Sequence, residues 1–225
     1  MIEYEKIVPW GRSYTEYVSM FHLSPGFLSQ KVLGCGDGPA AFNSVANAFG
    51  GHVTSIDPIF ELSKKEIEKR INETFTEVID QTKANLDKFN WKQFGSLEGL
   101  GKIRMKSMKQ FLNDYEQGKE EGRYIEASLP VLPFKNDAFD LVLCSHLLLL
   151  YSEKLDLDFH IRSIDEMLRV GKEVRIFPTV DLNSNESTHL KALMERYPKH
   201  ELVKVNYEFQ KNGDHMLVIR RNETC

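Results

Sequence analysis

Three glycines stand at alternate positions, Gly34, Gly36 and Gly38, directly after the short apolar run Val32-Leu33. Cys35 and Asp37 fill the gaps, and an acid, Asp57, follows about twenty residues on beside Pro58. Glycine lets the main chain turn sharply and approach a ligand with no Cβ in the way. A carboxylate at that remove can accept hydrogen bonds from both hydroxyls of a ribose. This is chemistry for a nucleoside. A second group, Ser145-His146, closes the apolar run DLVLC. His146 is the first candidate for a general base, since a free imidazole titrates at about 6.5; the plainer reading is a polar residue ending a strand. Near the start, Trp10 and Arg12 occupy the turn Pro9-Trp10-Gly11-Arg12. They read either as a packed tryptophan beside a solvated arginine or as a segment over the ligand mouth, with Arg12 meeting a carboxylate. Tyr151 and Asp181 are further candidates, His160 reads as structural, and His52 and His215 have no evident partners. No His, Asp or Cys cluster has metal spacing, so no metal site is expected, and no nucleophile elbow occurs.

These residues need elements to place them. Val32-Leu33, the glycine turn, a small-residue helix from Pro39 to Phe49, the break at Gly50-Gly51 and an apolar run ending at Asp57 predict strand, turn, helix and strand. Residues 1–29 form an N-terminal helical segment, its helix running from Ser13 to Phe21, with Ser13 and Glu16 spaced as a capping box. More than sixty residues separate Asp57 from Tyr124, too many for one crossover helix. Ile67, Ile71, Phe75, Val78, Thr82 and Phe89 make one amphipathic stripe. Leu97, Leu100, Met108, Phe111, Leu112 and Tyr115 make another. Residues 61–122 therefore read as a helical insertion, either a lid over the site or a face packed on the sheet or on a partner chain, such as a dimer mate. From Tyr124 the α/β rhythm resumes: strand Arg123–Ala127, loop Ser128–Phe134, strand Asp140–Cys144, helix Leu157–Val170 ended by Gly171, strand Glu173–Phe177 and helix His189–Tyr197. Two strands, Glu201–Phe209 and His215–Arg220, flank Asn212-Gly213-Asp214, good hairpin chemistry.

The totals narrow the partners. At 225 residues the chain fits one domain with a core of its own. A net charge of −4 and a pI of about 6.0 supply no global field toward nucleic acid or anionic lipid. Three scattered cysteines, Cys35, Cys144 and Cys225, fit neither a disulfide frame nor a structural zinc site. The charged start MIEYEKIVPW lacks the apolar centre of a signal peptide. The longest apolar run, Leu141 to Tyr151, falls short of the roughly 20 residues a bilayer needs. Asn72-Glu73-Thr74 and Asn222-Glu223-Thr224 match a glycosylation pattern by chance. A cytoplasmic protein is expected.

Taken in order, VLGCGDG, SIDP, LPFKNDAFDLVLCSHLLLL, EMLRV and EVRIF resemble the class I S-adenosylmethionine-dependent methyltransferases, from about Lys31 to Phe177 and interrupted by the insertion. The resemblance implies a Rossmann-like α/β fold: a seven-stranded, mostly parallel, doubly wound sheet ending in an antiparallel hairpin. It implies S-adenosylmethionine as cofactor, with Gly34, Cys35, Gly36, Asp37 and Gly38 at the methionine portion and the ribose. Asp57 and Pro58 would stand at the ribose hydroxyls, Ser128 and Leu129 beside the adenine, and Ser145 and His146 facing the sulfonium. Two residues depart from the family. Val32 stands where an acid commonly holds the cofactor's ammonium, leaving that task to backbone carbonyls or Asp37. Ser128 stands where an aspartate commonly takes the adenine amino group. The expected activity is methyl transfer to a small molecule. A macromolecular acceptor and a binding module without catalysis remain the alternatives.

Overall fold

The computed structural model describes residues 8–221. Cys225, the Asn222-Glu223-Thr224 pattern and the first seven residues lie outside them. The elements run α1 (Tyr14–Met20), β1 (Lys31–Cys35), α2 (Phe42–Ala48), β2 (His52–Ile56), α3 (Lys64–Lys83), α4 (Leu97–Glu120), β3 (Tyr124–Ile125), β4 (Phe139–Ser145), α5 (Leu157–Val170), β5 (Gly171–Phe177), α6 (Leu190–Arg196), β6 (His200–Lys204) and β7 (His215–Arg220). They build one seven-stranded sheet in the order β3-β2-β1-β4-β5-β7-β6. The first five strands of that order are parallel, and β7 runs antiparallel to β5 and β6. This is the mostly parallel α/β sheet expected.

Both faces of the sheet are covered, so the central strands are apolar on both faces along their middles, as in Val32–Cys35 and Leu141–Cys144. Successive side chains point to opposite faces. Val32, Leu141, Leu143 and Val218 join one core with α1, α2 and Leu100 of α4, while Leu33, Val142, Cys144 and Ile219 join the other with α5 and α6. A third cluster, Ile59, Phe60, Ile67, Ile71, Met108, Phe111 and Tyr115, binds α3 and α4 to the turn after β2. Tyr115 Oη lies 2.9 Å from the carbonyls of both Phe60 and Leu62 and pins that turn. Of the two helices in the predicted insertion, α4 also packs on α2 and β3, the place of a crossover helix. The other, α3, is the added element.

Ser13 caps α1 in the predicted capping box, its side chain accepting from the Glu16 N–H while Glu16 accepts from the Ser13 N–H. Glu16 does more than cap. Arg104 of α4, at i+4 from Leu100 and fully buried, donates through Nη1 to both Glu16 oxygens at 2.6 Å. Tyr207 Oη donates to Glu16 Oε1 at 2.8 Å. Burial opposes the Glu16 charge, but the Arg104 charge and hydrogen bonds outweigh it and hold the carboxyl down at about 2.

That triad explains why the last hairpin differs from its expectation. The strand predicted to reach Phe209 ends at Lys204, which pairs with His215, leaving a ten-residue loop in place of a tight turn. Tyr207 is drawn off to Glu16, and Phe209 stacks on Phe89 at 4.6 Å between ring centroids. The strand predicted over Arg123–Ala127 also shortens, to two residues. The small-residue helix begins at Phe42 rather than Pro39, because the N–H of Ala41 bonds the Arg12 carbonyl at 2.9 Å.

Glu16→Gln leaves Arg104 charged and buried without a counter-ion, and should cost about 3–5 kcal/mol of stability in urea unfolding at neutral pH. The Glu16 contribution should be fully present above its ordinary value of 4.5 and be lost as pH falls toward about 2. A variant within about 1 kcal/mol of the parent would show the pair to be structurally idle.

Candidate functional site

A cavity of about 930 Å³ opens at the carboxyl ends of the parallel strands, where strand order reverses about β1. Open α/β sheets bind ligands at that switch point. Gly36 and Gly38 line it with φ of +68° and +52°, left-handed values that favour glycine. The Gly38 N–H donates to Asp57 Oδ2 at 2.9 Å, and the Ile59 N–H donates to Oδ1 at 2.9 Å. Asp57 is thus fixed at the tip of β2 in the cavity wall. Burial pushes its carboxyl up, against the two N–H donors and the positive charge of Arg70.

Asp37 folds back over β1. A Cβ at Gly34 would sit 1.9 Å from Asp37 Oδ2, so the absence of a side chain there makes room for the carboxylate. Tyr17 Oη donates to Oδ1 at 2.8 Å and Ser55 Oγ to Oδ2 at 2.5 Å. Burial raises the carboxyl to about 6, with those two donors opposing and the Asp57 charge adding to the rise.

The other walls come from α3 and the N-terminal segment. Arg70, Thr74, Glu77 and Gln81, at steps of four, three and four, turn one stripe of α3 to the cavity. Trp10 packs on Phe75 of the same helix with ring centroids 5.4 Å apart. A Cβ at Gly11 would meet the Pro39 carbonyl oxygen at 2.0 Å, so the segment presses directly on the glycine turn. Arg12 donates from Nη1 to the Trp10 carbonyl at 3.2 Å, and its Nε is buried without a partner.

His146 has φ of +52°, unusual for a residue other than glycine and common at functional sites. Its N–H bonds the Phe177 carbonyl at 2.6 Å and its Nδ1 lies 2.9 Å from Ser145 Oγ. Burial, followed by the charges of Arg12 and Arg104, drives its basicity well below the ordinary imidazole value. It is neutral at physiological pH, and a weak base.

Of the residues singled out from sequence, Trp10, Arg12, Gly36, Asp37, Gly38, Asp57, Pro58, Ser128, Leu129, Ser145 and His146 line this cavity. Gly34 and Cys35 lie beneath it in β1, Cys35 fully buried in the core. Tyr151 is not in the wall; it is buried, its hydroxyl bonded to the backbone of Val8. Asp181 folds its own loop, accepting from the Asn183 and Asn185 N–H groups. His160 is buried in α5, His52 is exposed and His215 pairs with Asp214. Sequence reading passed over Tyr17 and the α3 stripe. The stripe's signal was its regular spacing, hidden by charges that read as a solvated face. Among the described residues, no group of three or more His, Cys, Asp or Glu side chains could hold a metal ion.

An adenosine carrying a charged amino-acid tail fits these groups. A carboxylate has about four acceptor positions. Two of Asp57's are taken, leaving a pair for ribose hydroxyls. Among the described residues Asp37 is an acid bonded only by hydroxyls and by no cationic side chain, which suits it to an ammonium.

No family model matches the chain. It is 36% identical over 212 residues to the uncharacterized protein MJ0045 of Methanocaldococcus jannaschii, covering 94% of this chain and 95% of that protein. Among solved structures it is similar to protein PH0226 of Pyrococcus horikoshii, with a TM-score of 0.49, 13% identity and coverage of 92% of this chain and 90% of that one. It is also similar to a SAM-dependent methyltransferase from Aquifex aeolicus, with a TM-score of 0.40, 11% identity and coverage of 84% and 80%. Likeness at that level assigns no function.

The Asp37 environment can be measured directly. Carboxyl-carbon NMR should show it titrating near 6, and Tyr17→Phe, which removes a donor to the ionised form, should move it higher. Titration near 4 in both proteins would contradict the buried geometry.

Proposed function

We propose that this chain, which belongs to the family of the uncharacterized protein MJ0045, transfers a methyl group from S-adenosylmethionine to a small-molecule acceptor. The observation that carries the reading is Asp57: a carboxylate at the tip of β2, anchored by the Gly38 and Ile59 N–H groups, with acceptor positions to spare in a cavity wall. S-adenosylmethionine, when bound, supplies an electrophilic methyl on a sulfonium that leaves as a neutral thioether without help from an acid.

The chain's own part is to bind and orient. Asp57 takes the ribose hydroxyls, and Ser128 and Leu129, in the wall beyond β3, flank the base. Val32, buried where the class I methyltransferases that the sequence resembles commonly carry an acid, cannot hold an ammonium. Asp37 does so from the turn, which Gly34 makes possible. Ser145 and His146 stand at the end of β4 on the acceptor side. Because His146 is neutral and weakly basic, it serves as a hydrogen-bond partner that aligns the acceptor atom. Most of the acceleration then comes from alignment at near-attack distance, which can be worth about 7–11 kcal/mol.

Several features favour a small acceptor. The α3 stripe and Trp10 wall the cavity, which supports the lid reading of α3 over a dimer face. The outer faces of α3 and α4 mix signs, as in Lys69 with Glu73 and Lys102 with Glu98, and offer no basic track for nucleic acid. Among the described residues no helix is long and apolar enough to cross a membrane.

Calorimetry should find binding of S-adenosylhomocysteine and not of NAD. Asp57→Ala should weaken that binding by about 100-fold, the loss of two hydrogen bonds to a charged group. Unchanged affinity would displace the ribose from Asp57. Affinity should also fall as pH drops below about 6, because protonated Asp37 no longer attracts the ammonium.

A further inference from the structure

Arg12 is a cation in search of an anion. Its guanidinium has five N–H donors, yet its contacts are the Trp10 carbonyl at Nη1 and nothing at the buried Nε. Among the described residues no carboxylate pairs with it. Glu16, whose field Arg12 feels, is committed to Arg104, Tyr207 and the N–H of Ser13. Two guanidiniums therefore share one carboxylate in this corner, and the surplus positive charge belongs to Arg12, which lines the cavity. The side chain is only partly buried, with its Nε shut off from water, and the chain holds it in place: the Arg12 carbonyl is tied to the Ala41 N–H, and Gly11 is wedged on Pro39.

We infer that the molecule methylated by this chain carries an oxyanion, a carboxylate or a phosphate, which docks on Arg12 beside His146. The inference rests on the methyl-transfer reading above and adds the class of acceptor. A planar fork of donors is the side chain best matched to such groups. The cofactor's own carboxylate is the rival occupant, because Tyr17, which feels the charge of Arg12, bonds Asp37 at 2.8 Å. The His146 side is favoured because Arg12 and His146 line the same cavity and, after burial, the charge of Arg12 is the largest influence on that imidazole. Titration separates the two occupants.

The test uses the full chain saturated with S-adenosylhomocysteine and titrated by calorimetry with benzoate in one arm and inorganic phosphate in the other. At least one anion should bind, and the arm that responds distinguishes carboxylate from phosphate. Arg12→Gln should weaken that binding about tenfold or more, Arg12→Lys should retain part of it, and both should keep S-adenosylhomocysteine affinity within about threefold. The proposal fails if neither anion binds the parent better than Arg12→Gln. It also fails if Arg12→Gln loses S-adenosylhomocysteine tenfold, since Arg12 then holds the cofactor's carboxylate. If S-adenosylhomocysteine does not bind the parent, the methyl-transfer reading falls by itself, and the same titrations on the protein alone still report whether Arg12 holds an anion.

Discussion

Charge is kept apart within a single cavity, and the rest of the site follows from that separation. Among the described residues Asp37 is an acid with no cation bonded to it, and Arg12 is a cation with no anion bonded to it. Each is held instead by neutral groups: Asp37 by the hydroxyls of Tyr17 and Ser55, Arg12 by the Trp10 carbonyl. His146 stays uncharged first because it is buried and then because of the charges of Arg12 and Arg104. On the proposed reading, the cofactor's ammonium meets Asp37 and the acceptor's anion meets Arg12.

The fold maintains this arrangement through glycines and one ion pair. Gly34 admits Asp37 over β1, and Gly11 admits the N-terminal segment onto the turn. The Glu16 carboxylate gathers α1, α4 and the loop before β7 at one buried point. Its charge is compensated and its oxygens satisfied, the condition under which a buried ion pair is tolerable. Tyr17, next to Glu16 on α1, is thereby held where its hydroxyl reaches Asp37.

Much of this was legible in the sequence, for reasons that particular residues make plain. The glycine turn and Asp57 could be read because strand, turn, helix and strand follow one another locally. So could the Ser13–Glu16 cap, which spans three residues, and α5, whose apolar period and flanking residues mark out Leu157–Val170 as observed. The Glu16–Arg104 pair could not, since it joins positions 88 apart. Its one local trace is an arginine inside the apolar stripe of α4. The shortened β6 was equally hidden: Val205, Tyr207 and Phe209 alternate like strand residues, but their partners Glu16 and Phe89 lie far back in the chain. Cavity walls drawn from α3 have the same origin. A stripe such as Arg70, Thr74, Glu77 and Gln81 looks the same in sequence whether it faces bulk water or a pocket.

Tyr207 reaches Glu16 across 191 positions of chain. A ribosome adding roughly 5–20 residues each second takes about ten to forty seconds to travel that distance. For that interval the first helix has been made but its acid lacks the last of its partners. The buried point where α1, α4 and the loop before β7 meet is therefore completed only near the end of synthesis.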